Sequence, residues 1–487
     1  MTHDLEVQMR HRPALDPGFL PAVLWNRAYH ARVRATGGSV ELGIALVRED
    51  GTTFTHKTRI LPPTAAHAAL NRKYVERLVK FLLWQKGGCT ILVKGCDPVA
   101  RMLAAAYTEK GLRAFDRDLV GRRMFGRTIA VKPVRGKLPP ARETSQPLGR
   151  HLDGCRIGFD LGGSDRKCAA VVDGKVVFSD EVVWNPYFEK DPWYHFQGIN
   201  DTLRRAAAHL PRIDGIGGSA AGVYVNNEPR VGSLYRGIAE PDFDRHIRGI
   251  FRALQSWWGG VPFDVVNDGE VTALAGSMSM KANAVLGYSM GTSVAAGYVT
   301  PDGNITSWLN ELAFVPVDYR DDAPADEWSG DIGCGVQYFS QQAVNRLLPA
   351  AGIEVPAEMP IAERLVQVQK LMAQGDPRAR KIYETIGTCY GYAIAHYAEF
   401  YEIENMLVLG RVTSGEGGEL ILAGARQVLK DEFPALADKV CLRTPSEKDK
   451  RHGQAIAAAS LPVASSAPAK GDRTQVRQSR RPLRGRR

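Results

Sequence analysis

The 487-residue sequence lacks the features that mark membrane proteins, zinc proteins and disulfide-rich secreted proteins. It has no run of about 18 apolar residues, which excludes a transmembrane helix. Its seven cysteines include no CxxC pair and no spacing typical of a zinc site, so we expect free thiols in a reducing compartment. The first residues lack the basic and then apolar profile of a signal peptide. We therefore expect a cytoplasmic protein.

Positive charge is concentrated at one end of the chain. The formal net charge is +10 at pH 7, and residues 470–487 supply seven of these charges, with eight basic side chains against one Asp. Residues 464–487 are rich in Ser, Pro, Gly and Arg, which predicts a disordered basic tail. A solvated tail is the simpler interpretation, and weak nonspecific contact with a polyanion such as nucleic acid or acidic lipid is the alternative.

A second change in composition divides the rest of the chain. The proline-containing stretch 138–153 indicates a linker between an N-terminal α/β region of unknown role, residues 1–137, and a larger region, residues 154–463. Hydrophobic periodicity in the N-terminal region predicts, in order, a hairpin over 39–60, a helix over 65–85, a strand over 90–93, a helix over 99–109 and a strand over 128–134. This pattern lacks the three close helices of a helix-turn-helix DNA-binding unit.

The larger region predicts strands and helices in an order that repeats. The first round has strands at 156–161, 168–172, 175–183, 213–217 and 263–267, and helices at 195–209, 242–258 and 270–281. A glycine-rich hairpin over 284–308 begins a second round, with helices at 337–348, 381–401 and 416–431 and a strand at 406–409. Two βββαβαβ-like rounds predict a doubled α/β architecture, with lobes at about 154–282 and 283–463 and a cleft between them.

A polar pair ends the predicted strand 263–267. Asn267 and Asp268 follow an apolar run and precede an alanine-rich helix, which is where α/β folds keep their ligands. A carboxylate at this place can act as a general base. The alternative interpretation is that Asp268 only caps the helix.

Three glycine-containing turns, each directly after a predicted strand, are candidates for phosphate binding. They contain Asp160, Gly162, Gly163, Ser164 and Lys167 in the first turn, Gly291, Thr292 and Ser293 in the second, and Gly410 and Gly415 in the third. Glycines let backbone N–H groups approach phosphate oxygens, and a carboxylate such as Asp160 can hold a hydrated Mg²⁺. The third turn opens into a helix N-terminus, which can hold a phosphate or adenosine. Taken singly, each is also compatible with a plain turn.

Taken in order, these motifs resemble those of the ROK family, which comprises repressors, uncharacterised proteins and sugar kinases of the actin-like ATPase fold. The resemblance covers residues from about 154 to 460 and rests on Asp160-Leu161-Gly162-Gly163-Ser164, Gly217 to Val223 with Leu234-Tyr235-Arg236-Gly237, Asn267-Asp268-Gly269, Gly291-Thr292-Ser293, and Leu409-Gly410 with Gly415. It implies a two-lobed ribonuclease H-like fold. It also implies an ATP-dependent carbohydrate kinase that transfers the γ-phosphate of Mg-ATP to a sugar hydroxyl.

The same resemblance implies roles for individual residues. Asp268 is implied as the base, and Asn267, Gly222 and Glu311 are implied as substrate contacts. The residues of the three turns are implied to bind ATP and its phosphates, with Asp160 holding Mg²⁺ through water. A sugar and ATP are therefore the expected partners, and homodimer formation is left open.

Two segments depart from the family pattern. The stretch that matches Gly-Glu-x-Gly-His ends in Phe314 in place of a His that contacts sugar and helps hold a structural zinc ion. The stretch that matches Gly-Cys-Leu-Glu retains Cys334 but has Val336 in place of the Glu. We expect no zinc site, because one thiolate cannot supply four ligands. The altered pocket also leaves two alternatives to a kinase, which are a non-catalytic sugar- or nucleotide-binding regulator and a ROK-type repressor.

Overall fold

The computed structural model describes residues 5–143, 149–444 and 447–463. The predicted basic tail, residues 464–487, and residues 144–148 of the predicted linker lie outside the described residues. No helix within the described ranges is both long enough and apolar enough to cross a membrane.

The N-terminal region forms a four-stranded sheet flanked by helices. Its elements are α1 Ala22–Ala35, β1 Val40–Val47, β2 Thr53–Ile60, α2 Ala68–Lys86, β3 Thr90–Lys94, α3 Asp97–Ala106, α4 Ala114–Asp116 and β4 Ala130–Val134. The sheet order is β2-β1-β3-β4, and a π-helical segment, Arg117–Met124, follows α4. The predicted hairpin, strands and helices of this region are confirmed to within a few residues at their ends. Helix α1 was not predicted.

The first lobe contains a five-stranded mixed sheet. Its elements are β5 Cys155–Leu161, β6 Asp165–Val172, β7 Lys175–Val183, α5 Pro192–Ala207, β8 Gly215–Ala220, β9 Val223–Val225, β10 Glu228–Val231, α6 Glu240–Asp242, α7 Ile250–Trp257, β11 Phe263–Asn267 and α8 Asp268–Met280. The sheet order is β11-β8-β5-β6-β7, with β5, β8 and β11 parallel and β6 and β7 antiparallel. This is the ribonuclease H-like topology that the resemblance implies. The helix predicted over 242–258 is instead interrupted by a π-helical segment, Phe243–Ile247, and begins again after Gly249.

The second lobe repeats the arrangement in a reduced form. Its elements are β12 Val285–Met290, β13 Val294–Val299, α9 Val336–Phe339, α10 Gln341–Ala351, α11 Ile361–Ala373, α12 Pro377–Tyr397, β14 Asn405–Leu409, α13 Glu416–Glu432, α14 Pro434–Ala437, β15 Cys441–Arg443 and α15 Glu447–Ala459. The sheet order is β13-β12-β14-β15. The predicted hairpin over 284–308 is too long, because a turn at Gly303 leaves only an isolated bridge between Val299 and Ile305. The predicted helix 337–348 is divided at Ser340, whose hydroxyl caps α10.

The N-terminal region and the second lobe share one hydrophobic core. Trp84 of α2 stacks on Phe314 with 4.3 Å between ring centroids, and Phe81 of the same helix stacks on Phe400 at 4.0 Å. Arg142, inside the predicted linker, exchanges two backbone hydrogen bonds with Thr53. The start of the predicted linker therefore packs against the N-terminal sheet.

Buried charged side chains also join the N-terminal region to the second lobe. We call the group formed by Glu76, Lys80, Arg113, Asp116 and Asp331 the buried ion cluster. The Lys80 ammonium lies 3.1 Å from a carboxylate oxygen of Asp116 and also contacts Asp331, while Arg113 contacts both Asp331 and Glu76. Breaking such a pair by removing one partner is strongly destabilising, because an unpaired charge stays buried. The buried ion cluster therefore fixes the N-terminal region to the segment around Asp331.

Helix α15 closes the first lobe by packing across β5 and β8, and it does so at two glycines. A Cβ atom at Gly158 would lie 1.9 Å from the carbonyl oxygen of Ala455, and one at Gly217 would lie 1.7 Å from that of Ala458. A backbone oxygen within a helix cannot easily move aside. The close approach of α15 therefore requires glycine at both positions.

We predict that Gly217→Ala destabilises the protein by about 2 kcal/mol or more, because overpacking forces the helix and sheet apart. The change is measured as the midpoint of thermal unfolding, with Gly136→Ala as the control, since no atom lies within 4 Å of a Cβ at Gly136. Equal midpoints for the two variants would show that α15 does not pack as described.

Candidate functional site

Three parallel strands of the first lobe bring polar residues to one edge of the sheet. Strand β5 ends after Asp160, β8 ends at Ala220 and β11 ends at Asn267, and the register pairs Asp160 with Ser219 and Asn267 with Ala220. Because the carboxyl ends of parallel strands meet at the same edge, the predicted residues Asp160, Asn267 and Asp268 lie together.

Asn267 holds the loop around the candidate base. Its side-chain oxygen accepts a hydrogen bond from the N–H of Gly269 at 2.7 Å, and its amide nitrogen donates to the carbonyl oxygen of Gly222 at 2.6 Å. Asn267 is therefore the residue that caps α8, and Asp268 begins the helix, sharing the same Gly269 N–H at 3.0 Å. The interpretation of Asp268 as the helix cap is wrong. Gly222 has a φ of 127°, and a Cβ there would lie 2.4 Å from the carbonyl oxygen of Val231.

The surroundings of Asp268 raise the pKa of its carboxyl to about 6. Burial is the main cause and the negative charge of Asp160 is the second, while hydrogen bonds from backbone N–H groups act in the opposite direction. A carboxylate with a pKa near 6 is ionised at neutral pH and is a stronger base than an ordinary aspartate. This combination suits a general base.

Asp160 is held on the neighbouring strand. The Ser219 hydroxyl donates a hydrogen bond to its carboxylate at 2.6 Å. Burial raises the pKa of Asp160, whereas this hydrogen bond and the charge of Lys167 lower it. The Lys167 ammonium itself pairs with Asp165 at 3.3 Å. The sequence pointed to Asp160 and Lys167, but only the strand register shows that Ser219 fixes the carboxylate.

The first glycine turn connects β5 and β6. The N–H of Gly162 donates to the carbonyl oxygen of Asp165 at 2.9 Å, and the Ser164 hydroxyl donates to the Asp165 carboxylate at 3.0 Å. A Cβ at Gly163 would lie 1.9 Å from the hydroxyl of Tyr187, so this position needs glycine. The turn is short and lies directly beside Asp160.

The second and third turns lie together at an edge of the second lobe. Strands β12 and β14 are parallel, and Ser289 pairs with Leu409 at their ends. Gly410 has a φ of 108°, and a Cβ there would lie 2.5 Å from the carbonyl oxygen of Met290, directly before the turn of Gly291, Thr292 and Ser293, of which the last two are exposed. Gly415, with a φ of 71°, precedes α13. The structure thus brings these two turns together, while the first turn belongs to the first lobe.

Two cavities adjoin the strand ends, a larger one of about 630 Å³ and a smaller one of about 340 Å³. Gly222 and Glu311 line both, and Asn267 lines the smaller. Both volumes are in the range of small-molecule sites. The predicted substrate residues therefore surround space that a ligand can enter.

Two glutamates at these cavities are poised to be neutral near pH 7. Burial and the charge of Asp268 raise the pKa of Glu311 to about 8. Burial also raises the pKa of Glu270 to about 8, although the Asn310 amide donates a hydrogen bond to it. A protonated carboxyl can donate a hydrogen bond to a ligand oxygen. Glu270 was not predicted as a site residue; its place in the first turn of α8, two residues after Asp268, was the available signal.

The N-terminal region supplies a further part of the walls of both cavities, which the sequence did not predict. The larger cavity is lined by Leu119, Arg123 and Met124, and the smaller by Arg48, Asp50 and Thr52. These residues carry no recognisable motif. Only their packing against the second lobe shows that residues 1–137 contribute to the site.

The two positions that depart from the family pattern, Phe314 and Val336, carry buried apolar side chains. Phe314 lines the larger cavity, stacks on Trp84 and contacts the ring of Trp328 edge-to-face. The retained Cys334 is buried, which raises the pKa of its thiol to about 12. Val336 is buried at the start of α9. Within the described ranges, no group of three or more His, Cys, Asp or Glu side chains is placed to hold a metal ion.

We predict that Asp268→Asn stabilises the protein, and more so at pH 8 than at pH 5. The folded protein holds the Asp268 proton more tightly than the unfolded chain, whose carboxyl has the ordinary pKa of 3.8. The wild type therefore loses stability relative to the variant as the pH rises from about 4 through about 6. The gain at pH 8 should exceed that at pH 5 by on the order of 1 kcal/mol, measured by denaturant unfolding.

Asp302→Asn, at an exposed turn of the second lobe, is the matched control and should give no such difference. A gain from Asp268→Asn that is the same at both pH values would contradict the raised pKa.

Comparison with known proteins gives matches among solved structures. No family model and no curated protein matches the chain. A ROK hexokinase from Thermus thermophilus is 18% identical, with a TM-score of 0.49 over 63% of this chain and 97% of that one. A ROK family transcriptional regulator, a homolog of the E. coli MLC protein, is 17% identical, with a TM-score of 0.49 over 64% of this chain and 79% of that one.

A ROK family glucokinase from Streptomyces griseus, solved in complex with glucose and AMPPNP, is 19% identical, with a TM-score of 0.45 over 63% of this chain and 99% of that one. At these levels of sequence identity, the matches bear on the fold and not on the function. The strand order and directions give the first lobe a ribonuclease H-like topology, and the five motifs of the chain resemble those of the ROK family.

Proposed function

We propose that this chain is an ATP-dependent carbohydrate kinase that transfers the γ-phosphate of Mg-ATP to a sugar hydroxyl. The observation that carries the proposal is the placement of Asp268. Its carboxyl, with a pKa of about 6, interacts electrostatically with Asp160, which leads into the first glycine turn, and with Glu311, which lines both cavities. A base between a phosphate-type turn and a ligand cavity is what phosphoryl transfer to a hydroxyl needs.

Removal of the proton from the acceptor hydroxyl is the first requirement of the reaction. Asp268 would accept this proton from the acceptor hydroxyl as the hydroxyl oxygen attacks the γ-phosphorus and the bond from that phosphorus to the bridging oxygen of ADP breaks, so that ADP leaves. Asn267 uses one amide N–H to hold Gly222 and retains a second one, with which it would orient the same hydroxyl. Glu311, protonated near neutral pH, would donate to another acceptor oxygen.

Binding of the phosphate groups and stabilisation of their negative charge are the second requirement. The N–H groups of Gly162 and Gly291 are used within their own turns, so those of Gly163 and Ser164, with Thr292 and Ser293 of the second turn, would stabilise the negative charge of the transferred group. Asp160 offers an oxygen ligand of the kind that Mg²⁺ prefers, and its contact through water fits a carboxylate already held by Ser219. When bound, Mg²⁺ supplies positive charge that neutralises the phosphate oxygens.

The exclusion of water is the third requirement, because water would compete with the sugar as nucleophile. The larger cavity has walls from the first lobe, the second lobe and the N-terminal region. Arg122 of the N-terminal region pairs with Glu240 of the first lobe at 3.1 Å across its rim. Closure of the lobes would narrow this cavity around the acceptor.

One observation favours a second candidate, a non-catalytic sugar- or nucleotide-binding regulator. Phe314 presents an apolar ring to the larger cavity where the family pattern has a polar sugar contact. A repressor has less support, because residues 5–143 form a sheet flanked by helices rather than a winged helix. Nonspecific polyanion contact through residues 464–487, homodimer formation and a cytoplasmic location remain predictions.

The kinase proposal predicts phosphate transfer from Mg-ATP to at least one member of a panel of sugars and sugar derivatives. Replacing the base in Asp268→Ala should lower kcat by at least about 100-fold, with a small effect on KM, because the hydroxyl still binds but loses its proton acceptor. Asp302→Ala is the matched control and should keep the wild-type rate.

Transfer is followed by mass spectrometry of the acceptor. Saturable binding of a sugar with no transfer to any acceptor would favour the regulator. Transfer that is unchanged in Asp268→Ala would contradict the role of the base.

A further inference from the structure

The larger cavity has an unusually basic wall for a site that would bind a neutral sugar. Four arginines and three carboxyl side chains line it, namely Arg123, Arg230, Arg236, Arg248, Glu240, Asp244 and Glu311. Because the pKa of Glu311 is raised to about 8, its carboxyl is mostly neutral at pH 7. The lining therefore carries net positive charge at neutral pH.

Most of this positive charge is already paired. The partners and the separations between their charged groups are Asp118 with Arg123 at 3.2 Å, Glu228 with Arg230 at 2.8 Å, and Asp244 with Arg248 at 2.6 Å. These three pairs explain the presence of three of the arginines without any ligand.

Arg236 is different. Its guanidinium lies over the ring of Tyr187, 5.5 Å from the ring centroid, and no carboxylate of the described chain forms an ion pair with it. The residue is exposed and lines the larger cavity. Nearby on the same wall, the Nε of Arg230 is buried without a hydrogen-bond acceptor. Two guanidinium groups thus keep donors that no group of the described residues uses.

The position of Arg236 relates it to the candidate reaction. The hydroxyl of Tyr187, on whose ring Arg236 lies, packs against Gly163 of the first turn. The larger cavity extends from Gly222 and Glu311 to the arginine-bearing wall. An acceptor bound beside Glu311, whose carboxyl interacts electrostatically with Asp268, would therefore extend along the cavity toward Arg236.

We propose that the acceptor is an anionic sugar derivative, a sugar carboxylate or a sugar phosphate, whose charged group is bound by Arg236 with Arg230 beside it. The inference rests on the proposed function, because it places the acceptor in the same cavity. A guanidinium binds both carboxylate and phosphate through paired N–H groups, and an unpaired one gains most from an anionic ligand. This preference is consistent with the replacement of polar sugar contacts by Phe314 and Val336.

The test measures ligand binding without turnover. Full-length protein is titrated by calorimetry and by thermal shift with glucose, glucuronate and glucose 6-phosphate, which distinguish a neutral sugar, a carboxylate and a phosphate. We expect at least one of the anionic ligands to bind at least tenfold more tightly than glucose. Arg236→Gln should remove that preference, and Arg236→Lys should restore part of it, since the charge returns without the paired N–H groups.

Arg212→Gln is the matched control, because Arg212 is an exposed arginine of the same lobe, paired with Asp214 before β8 at the opposite edge of the sheet. It should bind all three ligands as the wild type does. Binding of AMPPNP, a nucleotide analogue, should be the same in wild type and Arg236→Gln, which also shows that the variant is folded.

Three outcomes would overturn the inference: no preference of the wild type for either anionic ligand, a preference that survives in Arg236→Gln, or an equal loss of AMPPNP binding in that variant. The last would assign Arg236 to the nucleotide. Selective binding of an anionic sugar by a protein that transfers no phosphate would instead contradict the proposed function and leave the binding site in place.

Discussion

The candidate site depends on the parallel pairing of β5, β8 and β11. Parallel strands end at one edge, so Asp160 and Asp268, which are more than one hundred residues apart in the sequence, face the same space. Their proximity has an electrostatic consequence, since partial burial and the charge of Asp160 together raise the pKa of Asp268 to about 6. An aspartate that would be a weak base in solution thereby becomes a stronger one. The helix cap supplied by Asn267 leaves the carboxylate of Asp268 largely free for this role.

The second constraint is the buried ion cluster, which joins the N-terminal region to the second lobe. Charges buried at this depth are tolerated only while all partners are in place. The same interface places Trp84 on Phe314 and brings Arg123 and Met124 into the wall of the larger cavity. The departure at Phe314 from the family pattern and the packing of the N-terminal region are therefore linked, because Phe314 contacts Trp84 of that region.

The sequence predicted most of the first lobe, because its strands are apolar runs with clear turn signals. It also predicted the residues at the strand ends, since Asn267, Asp268 and the three glycine turns carry recognisable chemistry. Helix α15 could not be predicted in the same way, because its alanine-rich sequence merges with the low-complexity tail. Its requirement for Gly158 and Gly217 is visible only once the helix is seen on the sheet.

The walls of the cavities were the least predictable part of the site. Arg48 and Arg123 belong to segments without motifs, and their contribution depends on long-range packing. Arg236 lies inside a recognised motif, yet its lack of a carboxylate partner is a property of the folded arrangement. The raised pKa values of Glu270 and Glu311 likewise result from burial that residue types alone do not reveal.

The central claim is that Asp268 is the base of a phosphoryl transfer. The most direct test is the rate of transfer between pH 5 and pH 9, measured under saturating acceptor and Mg-ATP for the wild type and Asp268→Asn. Because the base must be ionised, the wild-type rate should fall as the pH drops below about 6, and the variant should be nearly inactive throughout. A wild-type rate that is flat across this range, or a variant that transfers phosphate at the wild-type rate, would contradict the account.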